Sequence, residues 1–152
     1  MKKIFAFSVM ILAFAACNKD KVETKPHLKF KSFNSKVIPV GSDALITLNF
    51  TDKEGDLDSI YVIRERTNQR SIPNYQLIDL GIPKFGGQTS GEIQIGLDNG
   101  TQLTFNLPAL RIPGSNPAVF EPDTLNLRFY VKDKAGHTSD TIGPERLIVM
   151  RQ

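Results

Sequence analysis

The stretch DALITLNF, residues 43–50, decides the fold class, because apolar and polar side chains alternate along its whole length. Successive side chains of a β-strand point to opposite faces of the sheet. Ala44, Ile46, Leu48 and Phe50 therefore share one face, and the side chains between them share the other. Such a strand buries one face only, so the pattern predicts a sheet that packs on one side against a second layer.

A second stretch, TLNLRFYV at residues 124–131, repeats the alternation, with Leu125, Leu127, Phe129 and Val131 on one face. Shorter strand-like runs, separated by turn signals, lie along the rest of the chain. These runs are LKFKSF (28–33), SIYVIRER (59–66), NYQLIDL (74–80), EIQIGL (92–97), QLTFNL (102–107) and RLIVM (146–150). The pair Asn99-Gly100 is a strong hairpin signal, and residues 111–123 form a long irregular stretch that predicts a surface crossover.

Helical periodicity is absent from these runs, and nine prolines and eleven glycines interrupt the chain. We therefore predict an all-β fold: a single immunoglobulin-like β-sandwich, of fibronectin III or cadherin type, with about seven or eight antiparallel strands. Residues 27–152 are enough for one such domain and its core, and too few for two.

The chain begins with MKKIFAFSVMILAFAA, in which Lys2 and Lys3 precede an unbroken apolar run. This run is too short to cross a bilayer, which takes about 20 residues, and it ends in two small alanines. Residues 1–16 are therefore expected to be a cleaved export signal. The segment AFAAC that ends at Cys17 resembles the lipobox of bacterial lipoproteins, which implies that Cys17 is the site of lipid attachment.

Residues 17–26 are expected to be the lipidated cysteine and a flexible tether, because NKDKVETK is polar and has no apolar pattern. The membrane is then a partner through the lipid anchor, and the expected location is the cell envelope, at the outer membrane. Lys19, Asp20 and Glu23 faintly resemble a signal that marks some Bacteroidetes lipoproteins for the cell surface. The alternative is an ordinary disordered linker.

Charge and cysteine content exclude several classes of function. The chain has 19 basic and 16 acidic residues, and loss of Lys2 and Lys3 with the signal leaves a net charge of +1. Such a nearly neutral domain has no electrostatic basis for binding nucleic acid. The single cysteine is expected to carry lipid, so disulfides and thiolate metal sites are excluded.

The loop TDKEGDLD, residues 51–58, directly follows the first quoted strand and is rich in carboxylates. In an immunoglobulin-type sandwich this loop lies at the same end as the last hairpin, where Asp133 is found. Carboxylate oxygens are the ligands that Ca²⁺ prefers. The candidate calcium ligands are Asp52, Glu54, Asp56, Asp58 and Asp133. The alternative is a solvated turn in which aspartate and glycine serve the backbone geometry.

The acidic D-x-E-G-D loop and the later segment DKAGHTS, residues 133–139, resemble those of a group of uncharacterised Bacteroidetes lipoproteins with an immunoglobulin- or fibronectin-like domain. The resemblance covers most of the chain in layout and is specific at these two loops. It implies an envelope-anchored β-sandwich, and it carries no known activity.

The leading functional hypothesis is a non-enzymatic interaction or structural module of the envelope with an unknown protein or glycan partner. An accessory glycan-binding lipoprotein is the first alternative, because Tyr61 and Tyr130 could share an outward face with Arg64 and Arg128. A small hydrolase is the second, since the acidic residues Glu65, Asp79, Glu92 and Glu121 lie on separate segments. Neither His27 nor His137 has the spacing of a zinc site.

Overall fold

The structure is a computed structural model that describes residues 24–68, 70–71, 74–82 and 87–152. The predicted signal at residues 1–16, Cys17 and the tether up to residue 23 lie outside these described residues. Every residue of the described hydrophobic core lies between Leu28 and Val149, so the domain contains its own core.

The described residues form eight β-strands, in agreement with the expected number. They are β1 (His27–Phe33), β2 (Val37–Ile38), β3 (Ala44–Thr51), β4 (Leu57–Arg66), β5 (Asn74–Gly81), β6 (Ser90–Leu97), β7 (Asp123–Asp133) and β8 (Ile142–Val149). The prediction missed only the two-residue strand β2, which is too short to show a pattern. Residues 111–122 are irregular, apart from one bridge between Arg111 and Phe120, and β7 begins at Asp123, the last residue of the expected crossover.

The strands form two sheets, one of order β1-β3-β6 and one of order β2-β8-β7-β4-β5. This arrangement matches strands A-B-E and G-F-C-C′ of an immunoglobulin-type sandwich, with β2 as an additional edge strand. The all-β sandwich predicted from the sequence is therefore confirmed. One pairing differs from the expectation of antiparallel strands, because β2 pairs with β8 in parallel.

The core lies between the two sheets and is supplied by the apolar faces that the alternation predicts. On β3, Ala44, Ile46 and Leu48 are fully buried. On β7, the central strand of the larger sheet, Leu125, Leu127, Phe129 and Val131 are fully buried as well. Each large apolar side chain buried in this way contributes about 1.5–3 kcal/mol to folding.

The expected hairpin at Asn99-Gly100 and the expected strand at residues 102–107 are wrong. Asn99–Leu103 forms one wide helical turn, because the side chain of Asp98 accepts hydrogen bonds from both the N–H and the hydroxyl of Thr101 at 2.7 Å. This capping competes with strand formation, and it buries Leu103 completely. No helix among the described residues has both the length and the apolar character needed to span a membrane.

Candidate metal centre and outer tyrosine face

The loop between β3 and β4 turns back on Asp52, the residue that directly follows β3. Asp52 is only 2% exposed. Its N–H donates to the carbonyl of Thr89 at 2.8 Å, and its own carbonyl accepts from the N–H of Gly55 at 3.2 Å. Its side-chain Oδ2 accepts from the N–H of Asp56 at 2.8 Å. The loop is therefore a closed turn in which the Asp52 carboxylate points inward.

The turn that follows β7 is organised around Asp133 in a similar way. Asp133 is 2% exposed. Its Oδ1 accepts from the backbone N–H of His137 at 2.7 Å, and its Oδ2 lies 2.8 Å from Nδ1 of the same residue. Gly136 closes the turn with a φ of +93°, a conformation that glycine adopts without strain. The chain therefore reverses direction in a tight turn at the end of β7.

The two turns meet at one end of the sandwich. The first residue of β4, Leu57, is in register with Asp133, and the N–H of Lys134 donates to the carbonyl of Asp56 at 3.1 Å. Carboxylate oxygens of Asp52, Asp56 and Asp133 lie within 4.8 Å of one another. We call these three residues the acidic cluster. The structure thus brings together three of the five candidate ligands.

The other two candidates, Glu54 and Asp58, are exposed and lie outside the acidic cluster. The hydroxyl of Ser59 donates to Oδ2 of Asp58 at 2.9 Å. Asp58 follows Leu57, the buried first residue of β4, so strand alternation turns its side chain to the outside. The sequence pattern of alternating acidic residues could not distinguish Glu54 and Asp58 from the three residues of the acidic cluster.

Two carboxylate oxygens of the acidic cluster lack the hydrogen-bond donors that buried oxygens normally have. Oδ1 of Asp52 and Oδ1 of Asp56 are both buried and have no hydrogen-bond partner. Burial raises the pKa of Asp56, and the neighbouring charges of Asp52 and Asp133 raise it further. The site therefore brings three carboxylates together and leaves two of their oxygens without a hydrogen-bond donor.

A second group of buried charges lies at the opposite end of the sandwich and was missed in the sequence. Arg66 and Arg151 both form ion pairs with the fully buried carboxylate of Asp123, the Arg151 Nε–Asp123 Oδ2 distance being 2.7 Å. Arg64 is 1% exposed and donates to the carbonyls of Gln102 and Leu103 at 2.8 and 3.0 Å. The sequence did contain a signal for Arg64 and Arg66, because both occupy inward positions in the alternating pattern of β4.

The outer face of the larger sheet carries the aromatic side chains of three strands. Tyr61 on β4 is paired in register with Tyr130 on β7, and their rings stack at 4.7 Å with an angle of 10°. Glu65 accepts from the hydroxyl of Tyr75 at 2.8 Å and from Arg128 at 3.1 Å. The tyrosines are therefore found on one surface.

Two apolar side chains, Ile63 and Leu77, complete this surface. Ile63 is paired in register with Leu77 on one side and with Arg128 on the other. Tyr75 and Leu77 are the most exposed of these side chains, at 63% and 57%. We call Tyr61, Ile63, Tyr75, Leu77 and Tyr130 the outer tyrosine face. The suggestion that Arg64 shares this face is wrong: its position has the opposite parity on β4, so it points into the core, whereas Arg128 lies outside.

The acidic residues considered for hydrolysis do not form one cleft. Glu65 and Asp79 lie on the outer side of the larger sheet, while Glu92 is on β6 of the other sheet and pairs with Lys31. Glu121 accepts a hydrogen bond from the side chain of Asn68 at 2.8 Å.

His137 lies near a serine in sequence, but the hydroxyl of Ser139 is engaged with the backbone. It donates to the carbonyl of Asp140 at 2.9 Å and accepts from the N–H of Val131 at 3.0 Å.

No protein-family model matches the chain, and no curated protein matches its sequence. Among solved structures, it is similar to a β-glucosidase from Listeria innocua with 15% identity and a TM-score of 0.45, over 84% of this chain and 16% of that one. It is also similar to the sporulation control protein Spo0M from Bacillus subtilis, with 8% identity and a TM-score of 0.45, over 84% of this chain and 50% of that one. The chain thus spans about a sixth of the glucosidase and half of Spo0M. Similarity at this level carries no argument about function.

Proposed function

We propose that the chain is the precursor of a lipid-anchored module of the bacterial cell envelope. The module binds its partner through the outer tyrosine face and has no catalytic activity. The anchor is supported by the apolar segment at residues 1–16 and by the single cysteine directly after it. A lipoprotein held by two or more acyl chains stays on its membrane, whereas a single chain binds only marginally.

The short distance between Cys17 and the domain limits where this module can act. Only nine residues separate Cys17 from His27, the first residue of β1. Fully extended, they span at most about 30 Å. His27 pairs with Thr51, the residue before Asp52, so the tether leaves the domain from the end that holds the acidic cluster. That end faces the bilayer in the proposed arrangement, and the outer tyrosine face lies along the side.

The outer tyrosine face is the observation that carries the proposal of a binding role. The sequence has three tyrosines, and all of them lie on this one surface. Tyrosine is enriched at protein interfaces because it offers a large, rigid contact area and a polar hydroxyl. Exposed apolar side chains that are grouped, as Leu77 is with Tyr75, are typical of interaction sites.

Glycan binding is the second candidate, and the stacked rings of Tyr61 and Tyr130 favour it. Sugar rings pack against the flat faces of aromatic side chains, and Glu65 and Arg128 offer hydrogen-bonding groups next to the stack. A protein partner would instead require the wider apolar surface around Leu77. The two candidates therefore depend on different parts of the same face.

The anchor is tested in the native host by labelling with radioactive palmitate. The wild-type chain is expected to incorporate label and to fractionate with membranes, whereas Cys17→Ser loses both properties. Loss of the label from Cys17→Ser supports lipid attachment at Cys17 even where the unprocessed precursor of this variant stays in the membrane fraction. Unlabelled wild-type protein would contradict the proposal.

The binding role is tested by placing a photo-crosslinking phenylalanine analogue at Tyr75 in the anchored chain. The matched control places it at Leu45, which is 39% exposed on β3 of the smaller sheet. We expect a discrete adduct from position 75 and none from position 45. Equal patterns from both positions would count against this face as the binding surface.

The glycan alternative is tested by electrophoresis of the soluble domain through gels that contain envelope polysaccharides. Retardation that is lost in Tyr61→Ala but retained in Leu77→Ala would favour glycan binding. Retardation that is unaffected by either change would place any glycan contact elsewhere.

A further inference from the structure

Two carboxylates of the acidic cluster lack the positively charged partners that another buried carboxylate of this domain has. Asp123 shows how this domain treats a buried carboxylate, because two guanidinium groups contact it. Asp52 is equally buried, yet among the described residues neither a lysine nor an arginine forms an ion pair with Asp52 or Asp56. Buried charges are normally paired or bound to a metal ion.

The unpartnered oxygens are a second and independent sign of a missing ligand. Asp52 uses Oδ2 to hold its own loop through the N–H of Asp56, and that leaves Oδ1 buried without a donor. Oδ1 of Asp56 is in the same state. A buried acceptor without a partner costs about 1–3 kcal/mol, more when it is charged, so two of them side by side are costly unless something binds there.

The dimensions of the cluster fit one large divalent cation. Ca²⁺ binds oxygens at about 2.3–2.6 Å, so two ligands of the same ion are separated by at most about 5 Å. The three carboxylates meet that limit, since their oxygens lie within 4.8 Å of one another. The backbone N–H and ring of His137 hold the carboxylate of Asp133 in place, as outer groups commonly do for metal ligands.

We propose that Asp52, Asp56 and Asp133 bind one calcium ion that fastens the loop between β3 and β4 to the turn after β7. Calcium is favoured over zinc because every donor is a carboxylate oxygen, and over magnesium because the two turns offer an irregular site that suits flexible coordination. Water and backbone oxygens complete its six to eight ligands. This proposal goes beyond the binding role above and does not depend on it.

The bound ion stiffens the end of the domain from which the tether leaves. Without it, the two turns are joined by the hydrogen bond from Lys134 to Asp56 across a group of mutually repelling charges. With it, the same carboxylates become the link between the two sheets.

The first test is equilibrium dialysis of residues 18–152, which contain the whole core, against radioactive calcium. We expect one calcium per chain. In a thermal melt, calcium at about 100 times its dissociation constant should raise the midpoint by about 10 °C over the value in EDTA. Magnesium at the same concentration should have a much smaller effect.

Asp56→Asn is the informative variant, because the change is isosteric and Oδ1 of Asp56 has no hydrogen bond to lose. It should abolish the calcium-dependent rise and, in EDTA, melt higher than the wild type, because one of the three repelling charges is gone. Asp58→Asn removes the same charge from the same loop outside the cluster, and it should retain the full calcium response.

Failure of the wild-type chain to bind calcium in dialysis would overturn the proposal without reference to any variant. Equal responses to magnesium and calcium would overturn the choice of ion. A calcium response that survives in Asp56→Asn but is lost in Asp58→Asn would show that the ion binds elsewhere on the loop, and would overturn the assignment of ligands.

Discussion

Nε of Arg151, the next-to-last residue of the chain, lies 2.7 Å from Oδ2 of Asp123, a carboxylate that is completely buried at the start of β7. Arg66 of β4 contacts the other oxygen of the same carboxylate. The segment after β8 is thus fixed by charge to the start of β7, the central strand of the larger sheet, at the end opposite the acidic cluster.

Asp123→Asn should therefore destabilise the domain strongly. Removing the shared anion leaves two guanidinium groups near each other in a buried setting, and breaking a buried ion pair in this way costs about 3–5 kcal/mol. Chemical denaturation of the soluble domain would measure the loss. Asp140→Asn is the matched control, because Asp140 pairs with Lys25 at an exposed site, where its side chain is 82% exposed, and no measurable change is expected. Similar losses in both variants would contradict the role assigned to Asp123.

Gly55→Ala should destabilise the loop that carries the acidic cluster. Gly55 has a φ of +65°, and a Cβ atom there would lie 2.6 Å from the carbonyl carbon and oxygen of Gly87. The strained backbone and the clash together should lower the free energy of unfolding by about 2 kcal/mol or more.

Variants at two other glycines separate the cost of the strained backbone from the cost of the clash with Gly87. Gly41 also has a positive φ, at +70°, but a Cβ would meet nothing within 4 Å, so Gly41→Ala should show the backbone cost alone. Gly96 has open space and an ordinary strand conformation, so Gly96→Ala should be neutral or slightly stabilising. A Gly55→Ala domain no less stable than Gly41→Ala would argue against the close approach to Gly87.

Tyr130 should ionise late and make the domain sensitive to alkali. Burial raises the pKa of Tyr130 above the usual 10.0, and Tyr61 and Asp79 raise it further. Because the folded-state pKa is the higher one, the resulting stabilisation is fully present below pH 10.0 and is lost as the pH rises through the raised value. Phenolate absorbance should show a late step that becomes smaller in Tyr130→Phe, which keeps the ring stack, while Tyr75, whose hydrogen bond to Glu65 also raises its pKa, supplies the remainder. An unchanged late step in that variant would assign the shift to another tyrosine.

Asp98→Ala should loosen the helical turn that replaces the expected hairpin. The hydroxyl of Thr101, and then its N–H, hold the pKa of Asp98 below its usual value of 3.8. The stabilisation is therefore present above pH 3.8 and is lost as the pH falls through the lowered value.

Amide exchange at Thr101 reports directly on this turn. We expect faster exchange in Asp98→Ala at neutral pH, and a smaller difference from the wild type in acid. Asp98→Asn retains a side-chain oxygen and should keep much of the protection. Rapid exchange in the wild type would mean that the cap does not hold the turn.

The fold class followed from the sequence because alternation is a local property. The parity of Ala44, Ile46, Leu48 and Phe50 already specifies which face is buried, and the packed core agrees. The same parity rule, applied to β4, would have placed Arg64 inside and Tyr61 outside. That error came from treating arginine as a surface residue by type, although a buried arginine is satisfied once backbone carbonyls accept its protons.

The meeting of the loop after β3 with the turn after β7 was also within reach of the sequence, because the sandwich topology places both at one end. The sequence could not show which of the acidic residues converge. Asp52, Asp56 and Asp133 come within 4.8 Å through the pairing of Leu57 with Asp133 and the closed turn at Asp52, and spacing along the chain does not encode either contact.

The sequence by itself thus determined most of the strands and their buried faces, because alternation depends on neighbouring residues alone. It also predicts the export and anchoring of residues 1–17. Only the tertiary structure decided the membership of the acidic cluster, the two arginines on Asp123 and the single surface shared by the tyrosines. Each of these joins residues from strands far apart in the chain. Their contacts are set by register between strands and by the cost of burying charge, which are properties of the folded whole.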